Sequence, residues 1–136
     1  MAIIPVPGDL TGAYWAAARR HELTLQRCAG CGWLGHPPLP RCPRCHGTDL
    51  GRWQASGRGT VHSFTIVTHA THAALTGAIP YVVAVVELAE GPRLVAGIRG
   101  CAPERVRVGM PVSVVFEDLT EEITLPQFEP AGEDHA

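Results

Sequence analysis

The chain has 136 residues, 46% of them hydrophobic, and a formal net charge of −2. That suffices for one ordinary domain, or two very small ones, with a core. No run of eighteen apolar residues is present to form a membrane-spanning helix. The opening "MAIIPVPGD" lacks the basic region and long apolar run of a secretory signal, so a cytoplasmic protein is expected.

Charge is unevenly spread. All eleven basic residues are arginines. Residues 1–58 carry a formal +4 and residues 59–136 a formal −6, which points to two units with different neighbours. Residues 1–21 are read as an N-terminal helical segment. Within it, "DLTGAYWAAARRH" (9–21) predicts a short helix, capped by Asp9 or Thr11, with Leu10, Tyr14 and Ala18 on one face. Gly12 weakens that helix, which is too short to stand alone and must dock on something. "ELTLQRC" then alternates apolar and polar residues as a strand does.

Residues 22–52 hold four of the five cysteines, as C-x2-C-x10-C-x2-C. A tetrahedral zinc ion takes four soft donors, each at about 2.3 Å, in a closed structural site. Two residues between cysteines let a tight turn aim both sulfurs at one point, and Gly30, Gly32, Pro43 and Gly47 suit such turns. Cys28, Cys31, Cys42 and Cys45 are therefore the expected ligands of a structural Zn2+ in a rubredoxin-like ribbon. A disulfide framework does not fit a chain without a secretion signal. A redox C-x-x-C would open a helix in a βαβ setting, and neither pair does. All-thiolate iron satisfies the same geometry. A closed four-sulfur sphere leaves no position for a reactive water, so catalysis at the metal is not expected. His36 and His46 are read as bystanders, and Cys101 as a small core residue.

From residue 53 to 130 the pattern becomes that of short strands. "GRGTVHSFTIVTH" (57–69) alternates, with Val61, Ser63, Thr65 and Val67 on one side and His62, Phe64 and Ile66 on the other. "PYVVAVVELA" (80–89) is a continuous apolar run, the pattern of a strand buried on both faces. "RLVAGIRG" (93–100) is its hairpin partner, "MPVSVVFEDL" (110–119) a fourth strand and "EITLPQF" (122–128) a fifth. Five short strands in a mostly β chain predict a Greek-key OB-fold barrel, with Gly57 and Gly59 supplying a bend. Residues 131–136 are expected to be a disordered tail.

No catalytic constellation emerges. His62, His69 and His72 are concentrated, but no partner carboxylate stands at a telling spacing, and a polar loop is the reading adopted. Single-stranded nucleic acid is the alternative partner class, since ribbons and OB barrels both serve it. The acidic, aromatic-poor barrel argues against that.

Taken together, "YWAAARRHEL", the ribbon "LQRCAGCGWLGHPPLPRCPRCHGTDL", then "SGRGTVHSFTIV", "PYVVAVVEL", "GMPVSVVFED" and "TLPQFEPA" resemble the acyl-CoA-associated zinc-ribbon/OB-fold family, over about residues 10–130. The resemblance implies a non-catalytic accessory subunit in a hetero-oligomer. Its partner would be a thiolase-superfamily enzyme or a hydratase acting on CoA thioesters, such as a steroid side-chain aldolase. Arg27, Arg41, Arg44 and Arg58, with His69 and His72, are the candidate contacts for acyl-CoA or for that partner.

Overall fold

The structure, a computed structural model, describes residues 5–70, 72–73 and 77–131. Among these, one helix, α1 (Gly12–Arg19), precedes β1 (Thr24–Cys28), β2 (Leu34–Gly35), β3 (Leu50–Gln54), β4 (Arg58–Val67), β5 (Tyr81–Leu88), β6 (Arg93–Ile98), β7 (Pro111–Asp118) and β8 (Thr124–Pro130). The first three strands form an antiparallel sheet in the order β2-β1-β3. The last five close into a barrel, β4-β5-β6-β8-β7, with β4 pairing back on β7. All barrel pairings are antiparallel except β6 with β8, which meet at Ile98 and Phe128. This is the five-stranded Greek-key barrel expected from the strand count.

Helix α1 is shorter than the predicted 9–21. Thr11 occupies the N-cap position but makes no side-chain cap bond, and its Oγ1 instead accepts from the Gly8 N–H at 2.8 Å. Because the helix starts after it, Leu10 is left exposed. Ala17 and Ala18 are buried, and Tyr14 packs on the core. The helix ends without the usual glycine: His21 takes φ 62°, with Glu22 N–H donating to Ala17 O and His21 N–H to Ala18 O. This six-to-one and five-to-two pair is a Schellman ending.

That ending aims His21 at the barrel. Its ring stacks on Phe116 with centroids 5.1 Å apart, and Nε2 lies 3.0 Å from Asp118 Oδ1. Thr124 Oγ1 donates to the same carboxylate oxygen at 2.6 Å. The Thr124 hydrogen bond first, and the His21 hydrogen bond second, hold the Asp118 carboxyl below its ordinary value of 3.8. A depressed carboxylate pKa contributes stability that is present above the unfolded value and is lost as pH falls through the folded one. Asp118→Asn is therefore expected to flatten the acid limb of a urea-stability profile below about pH 4. An unchanged limb in the variant would mean that this contact does not tie the helix end to the barrel.

One residue re-registers β4. The pairing runs Val61↔Val86 and then Ser63↔Val85, with a bulge between Val61 and Ser63. Val61, Phe64 and Ile66 therefore face the same way, paired with Val86, Ala84 and Val82, while Ser63, Thr65 and Val67 face out. This corrects the simple alternation expected over 57–69, because an inserted residue flips every side chain beyond it. Strand β5 also departs from expectation. Val82, Ala84, Val86 and Leu88 are buried, but Tyr81, Val83, Val85 and Glu87 are only half-buried. Among the described residues the run is covered on one face, not two.

Phe128 is fully buried among Val61, Val86, Leu88 and Val112, and the same cluster takes in Leu23, Leu25 and Ala55 from the ribbon side. Ribbon and barrel thus share one continuous core. At Gly59 a Cβ would lie 2.5 Å from the Glu87 carbonyl oxygen, so β4 approaches β5 as closely as only glycine allows. Residues 132–136 of the expected tail lie outside the described residues, as do Thr71 and residues 74–76 of the loop after β4.

Candidate metal centre

The two cysteine pairs fold as matching knuckles. In the first, Gly32 N–H donates to Cys28 O at 2.8 Å and Cys28 N–H to Trp33 O at 2.8 Å. In the second, His46 N–H donates to Cys42 O at 2.8 Å and Cys42 N–H to Gly47 O at 2.9 Å. Each knuckle needs a left-handed residue after its second cysteine. Gly32 supplies it at φ 83°, but in the second knuckle it is His46, at φ 65°, and not the neighbouring Gly47. Sequence reasoning passed over His46 because only the turn geometry assigns it this conformation.

These turns bring the Sγ atoms of Cys28, Cys31, Cys42 and Cys45 within 4.8 Å of one another. The Cys28–Cys45 and Cys31–Cys42 sulfurs are 3.5 and 3.6 Å apart. A tetrahedron with metal–sulfur bonds of about 2.3 Å has edges of about 3.8 Å. The donor set therefore fits one tetrahedral ion, and its composition suits zinc. Burial pushes the Cys42 thiol up, but amide donation from Cys45 and Arg44 to its sulfur outweighs this, and with the neighbouring Cys31 and Cys45 side chains brings it down to about 6. At Cys45 the Gly47 amide lowers the value, yet hydrogen bonds with the Cys28 and Cys31 sulfurs prevail and hold it up at about 11. A cation bound here displaces the remaining protons.

The loop between the knuckles is fastened to the sheet by Gln26, whose amide donates to Leu39 O and accepts from Leu39 N–H, both at 2.9 Å. Half-buried Arg52 donates through Nε and Nη2 to Thr24 Oγ1, at 3.1 and 2.8 Å. Burial pushes the nearby Tyr14 hydroxyl up to about 12, with the Arg52 charge pulling against it, so the phenol stays neutral. His36 stacks obliquely on Tyr14 at 5.0 Å, and burial, then Arg52, lowers its pKa. Neither His36 nor His46 is in the sulfur cluster.

The other singled-out residues are dispersed. Arg27, exposed on β1, lies 4.9 Å above the Trp53 ring in a cation–π contact. Arg41 Nη1 donates to His46 O at 3.3 Å, and Arg44 is exposed on the same knuckle. Arg58 opens β4 on the barrel, and His69 and His72 are exposed in the loop that follows β4. Cys101 is partly buried against the core, in keeping with its predicted role as a small apolar residue. No helix among the described residues is long and apolar enough to cross a membrane.

Residues 15–51 match the ChsH2 rubredoxin-like zinc ribbon domain family, and residues 53–117 the ChsH2 C-terminal OB-fold domain family. A Thermomonospora curvata protein named "Probable enoyl-CoA hydratase alpha subunit" is 45% identical over 96% of this chain. The 3-oxo-4,17-pregnadiene-20-carboxyl-CoA hydratase alpha subunit of Mycobacterium tuberculosis is 39% identical over 82%. The chain spans only 41% and 35% of those two relatives. A DUF35 domain-containing scaffold protein of Methanocaldococcus jannaschii is 36% identical, over 76% of this chain and 73% of its own length. Among solved structures, a chain of the Ltp2-ChsH2(DUF35) aldolase superposes with a TM-score of 0.86 and 41% identity, covering 94% of this chain and 99% of that one. A DUF35-family protein of unknown function from Sulfolobus solfataricus shares the fold, with a TM-score of 0.65 at 16% identity, covering 92% of this chain and 87% of that one. With the ribbon, the barrel and their order all matched, the chain belongs to the ChsH2 (DUF35) family.

Proposed function

We propose that this chain is a non-catalytic accessory subunit that binds and supports a thiolase-superfamily enzyme acting on acyl-CoA thioesters, with a steroid side-chain aldolase as the leading example. A hydratase subunit is the related partner. The observation that carries this is the 99% coverage, at 41% identity, of a chain of the Ltp2-ChsH2(DUF35) aldolase. In this reading Cys28, Cys31, Cys42 and Cys45 ligate a structural zinc. Four thiolates fill its sphere, so the metal holds the ribbon together and activates no water. A cytoplasmic location, where cysteines stay reduced and able to ligate the metal, belongs to this reading. Arg27, Arg41 and Arg44 on the ribbon, and Arg58, His69 and His72 on the barrel, are the proposed contacts for acyl-CoA or for the partner.

The test is co-expression of the tagged chain with a thiolase-superfamily subunit, followed by size exclusion and an assay of acyl-CoA cleavage. A stable heteromer is expected, with turnover only when the larger subunit is present. Turnover by the isolated chain, or no heteromer with any thiolase or hydratase subunit, would sink the proposal. Salt-sensitive binding to single-stranded DNA instead would favour the nucleic-acid alternative.

A further inference from the structure

Strand β5 presents an imbalance between sequence and structure. "YVVAVVEL" is apolar at nearly every position, as in a strand covered on both faces. The barrel interior covers one face only, that of Val82, Ala84, Val86 and Leu88. On the outer face Val85 lies directly between Ser63 of β4 and Val95 of β6, and Val83 lies between Thr65 and Gly97. Val95 is 68% exposed. In OB folds this strand face is a recurrent binding surface, and in oligonucleotide binders it carries stacking aromatics and positive charge. Here Val83, Val85 and Val95 fill the centre beside Ser63, Thr65 and Gly97, with Tyr81 at one end and the paired Glu87 and Arg93 at the other.

The charges at its rim cancel. Glu87 pairs with Arg93 at 3.0 Å, and Glu117 pairs with Arg99 at 2.9 Å. Gln127 Nε2 donates to Glu117 at 2.6 Å. An apolar centre inside a rim of matched polar groups is the make-up of a protein–protein interface, not of a phosphate-binding groove. Three strands about 4.8 Å apart, over a length of about 20 Å, give about 300 Å2. That is the size of an interface centre, within a standard footprint of about 800 Å2 per partner.

We infer that the outer face of β4, β5 and β6, centred on Val85 and Val95, is where the larger enzyme subunit docks. This rests on the accessory-subunit reading. The partner surface would be apolar and uncharged at its centre, and the ribbon arginines would be left for other contacts.

The experiment titrates the purified thiolase-superfamily subunit against the wild-type chain, Val95→Arg and Val108→Arg. Val108 is 66% exposed in the turn before β7, which bonds through Gly109 N–H and Met110 O to Val61 on the side of β4 away from β5, and serves as the control. Val95→Arg is expected to weaken the complex at least a hundredfold and Val108→Arg less than threefold, with melting temperatures like the wild type. Thr65→Arg, from the neighbouring strand, provides the second reading should Val95→Arg fold poorly. If the wild type binds and the face variants bind equally well, the docking face is overturned while the accessory role stands. If the wild type does not bind, the accessory role fails first. Loss of self-association in Val95→Arg, with the heteromer intact, would assign the face to a second copy and also overturn the inference.

Discussion

Cys42→Ala is expected to empty the metal site and melt the ribbon. Cys42 is fully buried and accepts amide hydrogen bonds from Arg44 and Cys45, so its sulfur is the most enclosed part of the second knuckle. Without it three donors remain, and the turn that His46 holds in a left-handed conformation loses its anchor. Structural zinc supplies about 10–16 kcal/mol of apparent binding free energy in small zinc-finger peptides, comparable to the stability of a whole domain. Zinc content should therefore fall from about one per chain to a trace. Amide exchange across residues 24–54 should rise to near the unstructured rate, with the barrel amides retaining more protection. Chelation of the wild-type protein should reproduce both effects. Full zinc content with unchanged ribbon exchange in Cys42→Ala would remove the four-cysteine assignment.

The second large effect is expected at Phe128. This side chain is 0% exposed, and its strand faces β7 at Val114 and β6 at Ile98, where the barrel closes. The Arg99 N–H also donates to the Phe128 carbonyl at 2.7 Å. Truncating a buried phenylalanine costs about 3–5 kcal/mol, from lost burial and the cavity left behind. Against a domain stability of about 5–15 kcal/mol, Phe128→Ala should leave a chain that is only marginally folded at 25 °C. Urea unfolding at fixed zinc should show the loss, and Phe128→Leu should recover more than half of it. A change below about 1 kcal/mol for Phe128→Ala would mean that the barrel closes without this ring.

The two halves of the molecule were legible to different degrees. The metal centre followed from spacing alone, because two residues between cysteines leave the turn few alternatives. Gly32 was readable for the same reason, while His46 was not, since no residue-type signal marks a histidine for the left-handed region. In the barrel, strand number and approximate bounds followed from alternation and turn residues. The bulge after Val61 did not, because one inserted residue changes register without changing composition. Closure through β6 and β8 joins residues thirty apart, a pairing that local pattern cannot reveal. His21 was missed as a helix ending because glycine is the residue ordinarily sought there. The apolar run of β5 predicted cover on both faces, and among the described residues only the face toward the barrel interior has it, because composition does not say which face a barrel closes over.

Barrel closure also bears on how another protein can engage this chain. In the cylinder every strand has a neighbour on each side, but two seams are short: β6 meets β8 only at Ile98 and Phe128, and β4 meets β7 only over Arg58–Thr60. The ribbon sheet is open, with β2 and β3 as its outer strands, and β2 is only two residues long. Main-chain edges open to strand addition among the described strands therefore include β3 (Leu50–Gln54) in the ribbon and the part of β6 before Ile98 in the barrel. A partner at either unit is thus offered main chain as well as side chains.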